Sequence, residues 1–354
     1  MRAALTSSTT GGPDMWRRLL GNQWLVAKYA LKKKSGPAHR GLKWRKRVMD
    51  FSQGAAQEKS PLVQRLARLH AALVTPCDRD EAVSHRCIGR VVEFVKQQGI
   101  DGLYVGGSTG EGLLQSVDER LAIFETVAEA AGASAKIGHV GAIATRDAQR
   151  LAKGCASLGY DAVSAIPPIY FPHRKDAVFG YYQDIVQAAT GTPLIIYNIP
   201  AMSGVSFSLD DLARLLDLPG VIGIKQTSID MYQMEQLRRA FPTALLLNGY
   251  DEVFTAGVVS GANGGIGSTY NIMGRNYLDL LVHLATGDVA AAARVQSKCN
   301  AVIDELVRVS VFPGLKYLLY RLGVIDTPVC RKPLATLSSS TCGRLEEISA
   351  GLRG

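Results

Sequence analysis

Lys225 closes the apolar run Val221-Ile222-Gly223-Ile224, a place where a lysine is partly withdrawn from water. Desolvation disfavours the ammonium, and the neutral amine can attack a ketone to form a Schiff base. A lysine snorkelling to solvent from a strand end is the alternative reading. Tyr197 ends a second apolar run, Leu194 to Tyr197. A phenol there can relay a proton, or can simply satisfy one hydrogen bond. Residues 106 to 111 read Gly-Gly-Ser-Thr-Gly-Glu. Its glycines allow a tight turn that exposes backbone N–H groups beside the hydroxyls of Ser108 and Thr109. Such a nest suits a carboxylate or a single phosphate, and it lacks the Gly-Lys-Ser/Thr ending of a nucleotide-binding loop. Gly249, Asp251 and Glu252 follow another apolar run, and Ser268 and Thr269 follow a fourth. These groups can hold a polyhydroxylated ligand. Asp251 and Ser268 also read as helix caps.

Groups scattered over 160 residues can share a site only if the fold gathers them. From about residue 70 short apolar runs alternate with longer amphipathic stretches, the signature of parallel βα units. The runs are residues 71–74, 102–105, 135–140, 162–165, 194–197, 221–224, 244–247 and 264–266. Helical patterns cover 118–131, 146–158, 175–189, 209–216 and 231–239. Eight strands with intervening helices predict an α/β fold, a (β/α)8 TIM barrel whose active site lies where strands run into βα loops. A doubly wound sheet would carry Gly-x-Gly-x-x-Gly after its first strand, and none is present there. Helical patterns at 277–285, 289–308 and 315–322 predict additional C-terminal helices from about residue 275.

The chain has 354 residues and a net charge of +9, but the charge is unevenly placed. Residues 1 to 50 hold twelve Lys/Arg against Asp14 and Asp50, and the remainder is close to neutral. A general phosphate-binding field is therefore absent from the body, and no nucleic-acid partner is expected. Residues 1–62 read as a basic N-terminal extension and 63–354 as the barrel domain. Within the extension Trp16, Leu19, Leu20, Trp24, Ala27 and Leu31 follow helical spacing. Arg-rich, acid-poor starts of this kind occur in organelle transit peptides. A solvated tail, or a start codon assigned upstream of Met15 or Met49, are the other readings. No run reaches the roughly 18 to 20 apolar residues that span a bilayer, and a cytoplasmic protein is expected. The six cysteines form no Cys-x-x-Cys and the six histidines no metal-ligand pair, so no metal is predicted. His139, at the end of the third run, reads more simply as a packed histidine than as a catalytic one.

Gly-Gly-Ser-Thr-Gly-Glu, Tyr-Asn-Ile-Pro-Ala-Met-Ser-Gly (197–204), Gly-Ile-Lys-Gln-Thr-Ser (223–228), Asn-Gly-Tyr-Asp-Glu (248–252) and Gly-Gly-Ile-Gly-Ser-Thr-Tyr-Asn-Ile-Met-Gly (264–274) occur in this order. In these motifs the chain resembles the pyruvate-dependent class I aldolases, the family of N-acetylneuraminate lyase and dihydrodipicolinate synthase. The likeness covers about residues 68 to 335 and is strongest to the lyase branch. It implies reversible cleavage of N-acetylneuraminate to N-acetylmannosamine and pyruvate, without metal or organic cofactor. It further implies Lys225 as the Schiff-base lysine, Tyr197 as the proton relay, and Ser108 and Thr109 as the pyruvate-carboxylate site. Thr227, Gly249, Asp251, Glu252 and Ser268 match positions that hold the sugar. Tyr170 matches a tyrosine that reaches a neighbouring subunit's site, which implies a homotetramer.

The loop after the fifth run separates the two branches. Dihydrodipicolinate synthases usually carry an Arg before Thr-Gly to grip a second carboxylate, whereas here the segment is Pro200-Ala201-Met202-Ser203-Gly204. Asp251 and Glu252 would also repel an anionic aldehyde. Two positions depart from the family pattern: Cys77 stands where Phe is expected, and Ile166-Pro167 where Val-Thr is usual. The alternatives are a related aldolase or dihydrodipicolinate synthase acting on another aldehyde, and a ligand-binding barrel that uses the basic arm for docking.

Overall fold

The computed structural model describes residues 59–335, 337 and 342–353. The amphipathic pattern and targeting signal read in the basic extension lie outside the described residues. Helix α1 (Pro61–Leu66) starts the described chain, with the Ser60 hydroxyl accepting the Val63 N–H as its cap. Eight parallel strands follow: β1 (Leu69–Ala72), β2 (Gly102–Val105), β3 (Ala135–His139), β4 (Ala162–Ala165), β5 (Leu194–Asn198), β6 (Val221–Gln226), β7 (Leu245–Asn248) and β8 (Gly264–Gly267). They pair in sequence order, and β8 returns to β1 to close the barrel. The expected TIM barrel is the observed fold.

The strands are separated by α2 (His85–Gln97), α3 (Val117–Ala131), α4 (Thr145–Ser157), α5 (Lys175–Ala188), the short α6 (Pro200–Ser203), α7 (Leu209–Leu216), α8 (Met231–Ala240) and α9 (Phe254–Val259). Sequence starts several of these where it was legible. Ser116 with Glu119, and Ser208 with Asp211, form capping boxes at α3 and α7. Side-chain alternation divides each strand between two cores. Leu103 and Val105 face the helices, while Tyr104 joins Ala72, Ile137, Ile195, Tyr197, Leu247 and Ile266 inside the barrel. Leu66 and Val63 of α1 pack into the same interior cluster.

One strand lies two residues earlier than its sequence pattern predicts. β1 spans Leu69–Ala72, not 71–74, because the Asn271 side chain takes over the ladder there. Its amide donates to the Ala72 carbonyl at 2.7 Å and accepts the Val74 N–H at 3.4 Å. After the barrel come α10 (Tyr270–Ala285), α11 (Val289–Val309), α12 (Val311–Arg321) and α13 (Gly343–Arg353). No helix of the described residues is long and apolar enough to cross a membrane.

Candidate active site

Lys225 lies within β6, one residue short of its end, and is only 4% exposed. Parallel pairing puts it opposite Tyr197 of β5. The Lys225 Nζ sits 3.8 Å from the centroid of the Tyr197 ring and 4.5 Å from that of Tyr104. The two phenols meet edge to face at 6.2 Å. Aromatic faces attract cations, so the pocket suits both an ammonium and the protonated imine that a lysine forms with a ketone. Tyr104 escaped the sequence reading. Its signal was inward alternation on β2, which does not say what lies across the barrel.

His139 completes this aromatic cluster, 5.9 Å from the Tyr197 ring. Its Nδ1 lies 3.1 Å from the Gly106 carbonyl, and its Nε2 accepts the Ile166 N–H at 3.4 Å. That pattern fits a neutral ring protonated on Nδ1. Burial first, then the Arg120 guanidinium, hold the His139 pKa well below its ordinary value. The packed histidine of the sequence reading is what the structure contains. Arg120 is itself buried and bonded to the carbonyls of Gly141 and His139, which ties α3 to the end of β3 and the loop after it.

The loops after β2 and β8 meet. The Thr109 and Ser268 hydroxyl oxygens are 2.7 Å apart. Ser108 is half-buried beside them in sequence, and its carbonyl accepts the Glu111 N–H. Glu111 adopts a left-handed φ of +58°, unusual for a side chain with a Cβ. Its carboxylate is held by Lys316 at 2.5 Å and by the Arg331 N–H at 2.8 Å. The Lys316 Nζ also donates to the Val329 carbonyl and to the Cys77 Sγ at 3.6 Å. Cys77 thus packs against a buried ion pair, and burial pushes its thiol pKa up.

Asp251 opens a 3-10 turn after β7, but its carboxylate caps no helix. One oxygen accepts both the Thr269 N–H at 2.8 Å and the Thr269 hydroxyl at 2.7 Å. Thr269 follows Ser268, so Asp251 also fixes the loop after β8. Burial raises its pKa to about 7 despite those two bonds. Glu252 is half-buried. Thr227 is buried with no hydrogen-bond partner for its hydroxyl. Gly249 lies against it, and a Cβ on Gly249 would overlap the Thr227 hydroxyl oxygen. Tyr170 stands apart: its ring is 86% exposed and its φ is +80°. It contacts Phe171 edge to face at 5.0 Å. The loop after β5 forms α6, in which Met202 is exposed.

Residues 65–350 match the dihydrodipicolinate synthetase family. The chain belongs to that family. It is 47% identical over 292 residues to the N-acetylneuraminate lyase of Enterobacter sp. (strain 638), covering 82% of this chain and 98% of the relative. The N-acetylneuraminate lyase of Escherichia coli (strain K12 / DH10B) is also 47% identical, over 80% of this chain and 95% of its own. Among solved structures, wild-type Ruminococcus gnavus sialic acid aldolase superposes with a TM-score of 0.79 at 30% identity, covering 82% of this chain and 97% of that one. The pyruvate complex of N-acetylneuraminate lyase from Fusobacterium nucleatum gives a TM-score of 0.76 at 31% identity, over 81% and 97%.

Proposed function

We propose that this family member is a class I aldolase that cleaves N-acetylneuraminate reversibly to N-acetylmannosamine and pyruvate. The observation that carries the reading is the buried Lys225 amine on the face of Tyr197, its register partner across β5 and β6. The lyase relatives of the same family support the substrate.

In this reading the Lys225 amine adds to the ketone carbon of the open-chain sugar acid, and water leaves to give a protonated imine. Tyr197 then takes the proton of the hydroxyl one carbon beyond the imine's α-carbon. The bond between that carbinol carbon and the α-carbon breaks, releasing N-acetylmannosamine as an aldehyde. Its electron pair passes into the imine and leaves an enamine. Protonation of the enamine carbon and hydrolysis return pyruvate and free Lys225. The ring faces of Tyr104 and Tyr197 favour the cationic imine, the species whose charge draws the electrons.

Ser108 and Thr109 hold the pyruvate carboxylate through the nest and its hydroxyls. Ser268 keeps Thr109 oriented. Thr227 is poised as a sugar-hydroxyl partner, since its buried hydroxyl has no bond in the free protein. Gly249, Asp251 and Glu252 shape the distal end of the pocket. The exposed Tyr170 on a positive-φ backbone supports a homotetramer in which this ring reaches a neighbouring subunit's site. A cytoplasmic place of action belongs to the same reading.

Pyruvate release from N-acetylneuraminate, coupled to lactate dehydrogenase, tests it with Lys225→Ala in parallel. Release that vanishes in the variant is the expected result. A folded wild-type protein that releases none refutes the lyase reading, and borohydride trapping with pyruvate then separates another aldolase from a non-catalytic barrel.

A further inference from the structure

Two amides outside the barrel touch the main chain of the sugar-facing turn. Gln296 and Asn300 lie four residues apart on α11, and therefore on one face of that helix. The Gln296 Nε2 donates to the Asp251 carbonyl at 2.9 Å and to the Asn300 Oδ1 at 2.9 Å. The Gln296 Oε1 accepts the Thr255 N–H and the Thr255 hydroxyl, each at 3.0 Å. The Asn300 Nδ2 donates to the Glu252 carbonyl at 3.0 Å. The carbonyls of two consecutive turn residues are thus held by side chains 45 and 48 positions later.

The clamp is two-sided. From within, Thr269 holds the Asp251 carboxylate. From outside, the amide pair holds the backbone that carries Asp251 and Glu252. Gln296 is buried and uses both its donor and its acceptor atoms, so an apolar residue could not replace it without leaving turn groups unpaired. The amide bonds themselves end on the Asp251 and Glu252 carbonyls and do not reach β6; the link to the Gly106–Glu111 loop is indirect, through the Asp251 carboxylate on Thr269 and the neighbouring Ser268 on Thr109.

We infer that Gln296 and Asn300 are positioning residues that set affinity for the sugar portion of the substrate far more than they affect pyruvate capture. This rests on the reading of Asp251 and Glu252 as sugar-facing. It makes a helix outside the barrel a determinant of aldehyde specificity, acting through main-chain position without substrate contact.

The test uses full-length Gln296→Glu, which keeps size but turns an acceptor toward the Asp251 carbonyl, and Asn300→Ala, which removes a half-buried donor. KM and kcat for N-acetylneuraminate, borohydride trapping of pyruvate, and the thermal midpoint are measured for each. The expected result is a KM raised about tenfold or more in Gln296→Glu, since small misplacements of positioning groups are costly. A smaller rise is expected in Asn300→Ala, with the concentration dependence of pyruvate trapping shifted in both by much less than KM. Should Gln296→Glu not fold, Asn300→Ala decides alone. An unchanged KM in folded variants overturns the inference, as does a parallel loss of pyruvate trapping. Glu252→Ala separates the two levels. If it leaves KM unchanged, the sugar-facing reading itself falls. If it raises KM while the amide variants do not, only the role of Gln296 and Asn300 falls.

Discussion

The Lys316 ammonium meets the Glu111 carboxylate at 2.5 Å with both side chains wholly buried, joining α12 to the loop that carries Ser108 and Thr109. Breaking a buried pair by removing one partner strands the other charge and costs about 3–5 kcal/mol. Lys316→Met is expected to lose stability in that range by urea denaturation and to weaken pyruvate trapping through the displaced loop. Lys316→Met with Glu111→Gln should recover part of the stability, because no charge is then left unpaired.

Tyr197→Phe preserves the ring under the Lys225 amine and removes only the hydroxyl. Borohydride should still trap pyruvate on the variant. Its kcat for N-acetylneuraminate cleavage should fall by about 10²–10⁴-fold, the range for loss of a positioned acid–base group. A kcat near wild type would assign the proton transfer elsewhere.

Thr227→Val offers an unusual pairing of effects. The wild-type hydroxyl is buried without a partner, a state that costs about 1–3 kcal/mol. The variant should therefore be as stable as wild type or more so in thermal unfolding, yet bind the sugar acid more weakly. Equal stability with unchanged KM would remove Thr227 from the binding site.

Asp251 makes stability depend on pH in a direction opposite to most paired carboxylates. Its folded-state pKa of about 7 stands above the ordinary 3.8, so the folded chain binds the extra proton between those values. That contribution is fully present below about pH 4 and is lost as pH rises through about 7. The associated slope is at most about 1.4 kcal/mol per pH unit. Asp251→Asn keeps an acceptor for Thr269 and should remove this slope, seen as a flatter difference curve in urea denaturation between pH 4.5 and 8.

Most of the fold was legible because its signals are local. Short apolar runs alternate with longer amphipathic stretches, and all eight strands stand close to where that pattern puts them. β1 is displaced by two residues because its ladder ends on a side chain, Asn271, about 200 positions away. α10 begins at Tyr270, not Tyr277, since its first turn is buried on all sides and shows no amphipathic contrast. In the site, Lys225 and Tyr197 could be named from residue type at strand ends. The helix-cap reading of Asp251 failed for a different reason: its partner, Thr269, arrives from the next βα unit.

By itself the sequence determined which chemical groups this protein owns, the order of the elements that bear them, and the family whose motifs they spell. These depend on residue type and short spacing, which a chain displays without being folded. Tertiary structure alone decided that the Lys225 amine rests between Tyr197 and Tyr104, that Thr109 meets Ser268, and that Lys316 is buried against Glu111. It also decided that Gln296 and Asn300 hold the turn after β7. Each of these contacts follows from barrel closure or from the packing of C-terminal helices on its rim. Both depend on the register of elements far apart in the chain, and no local periodicity encodes that register.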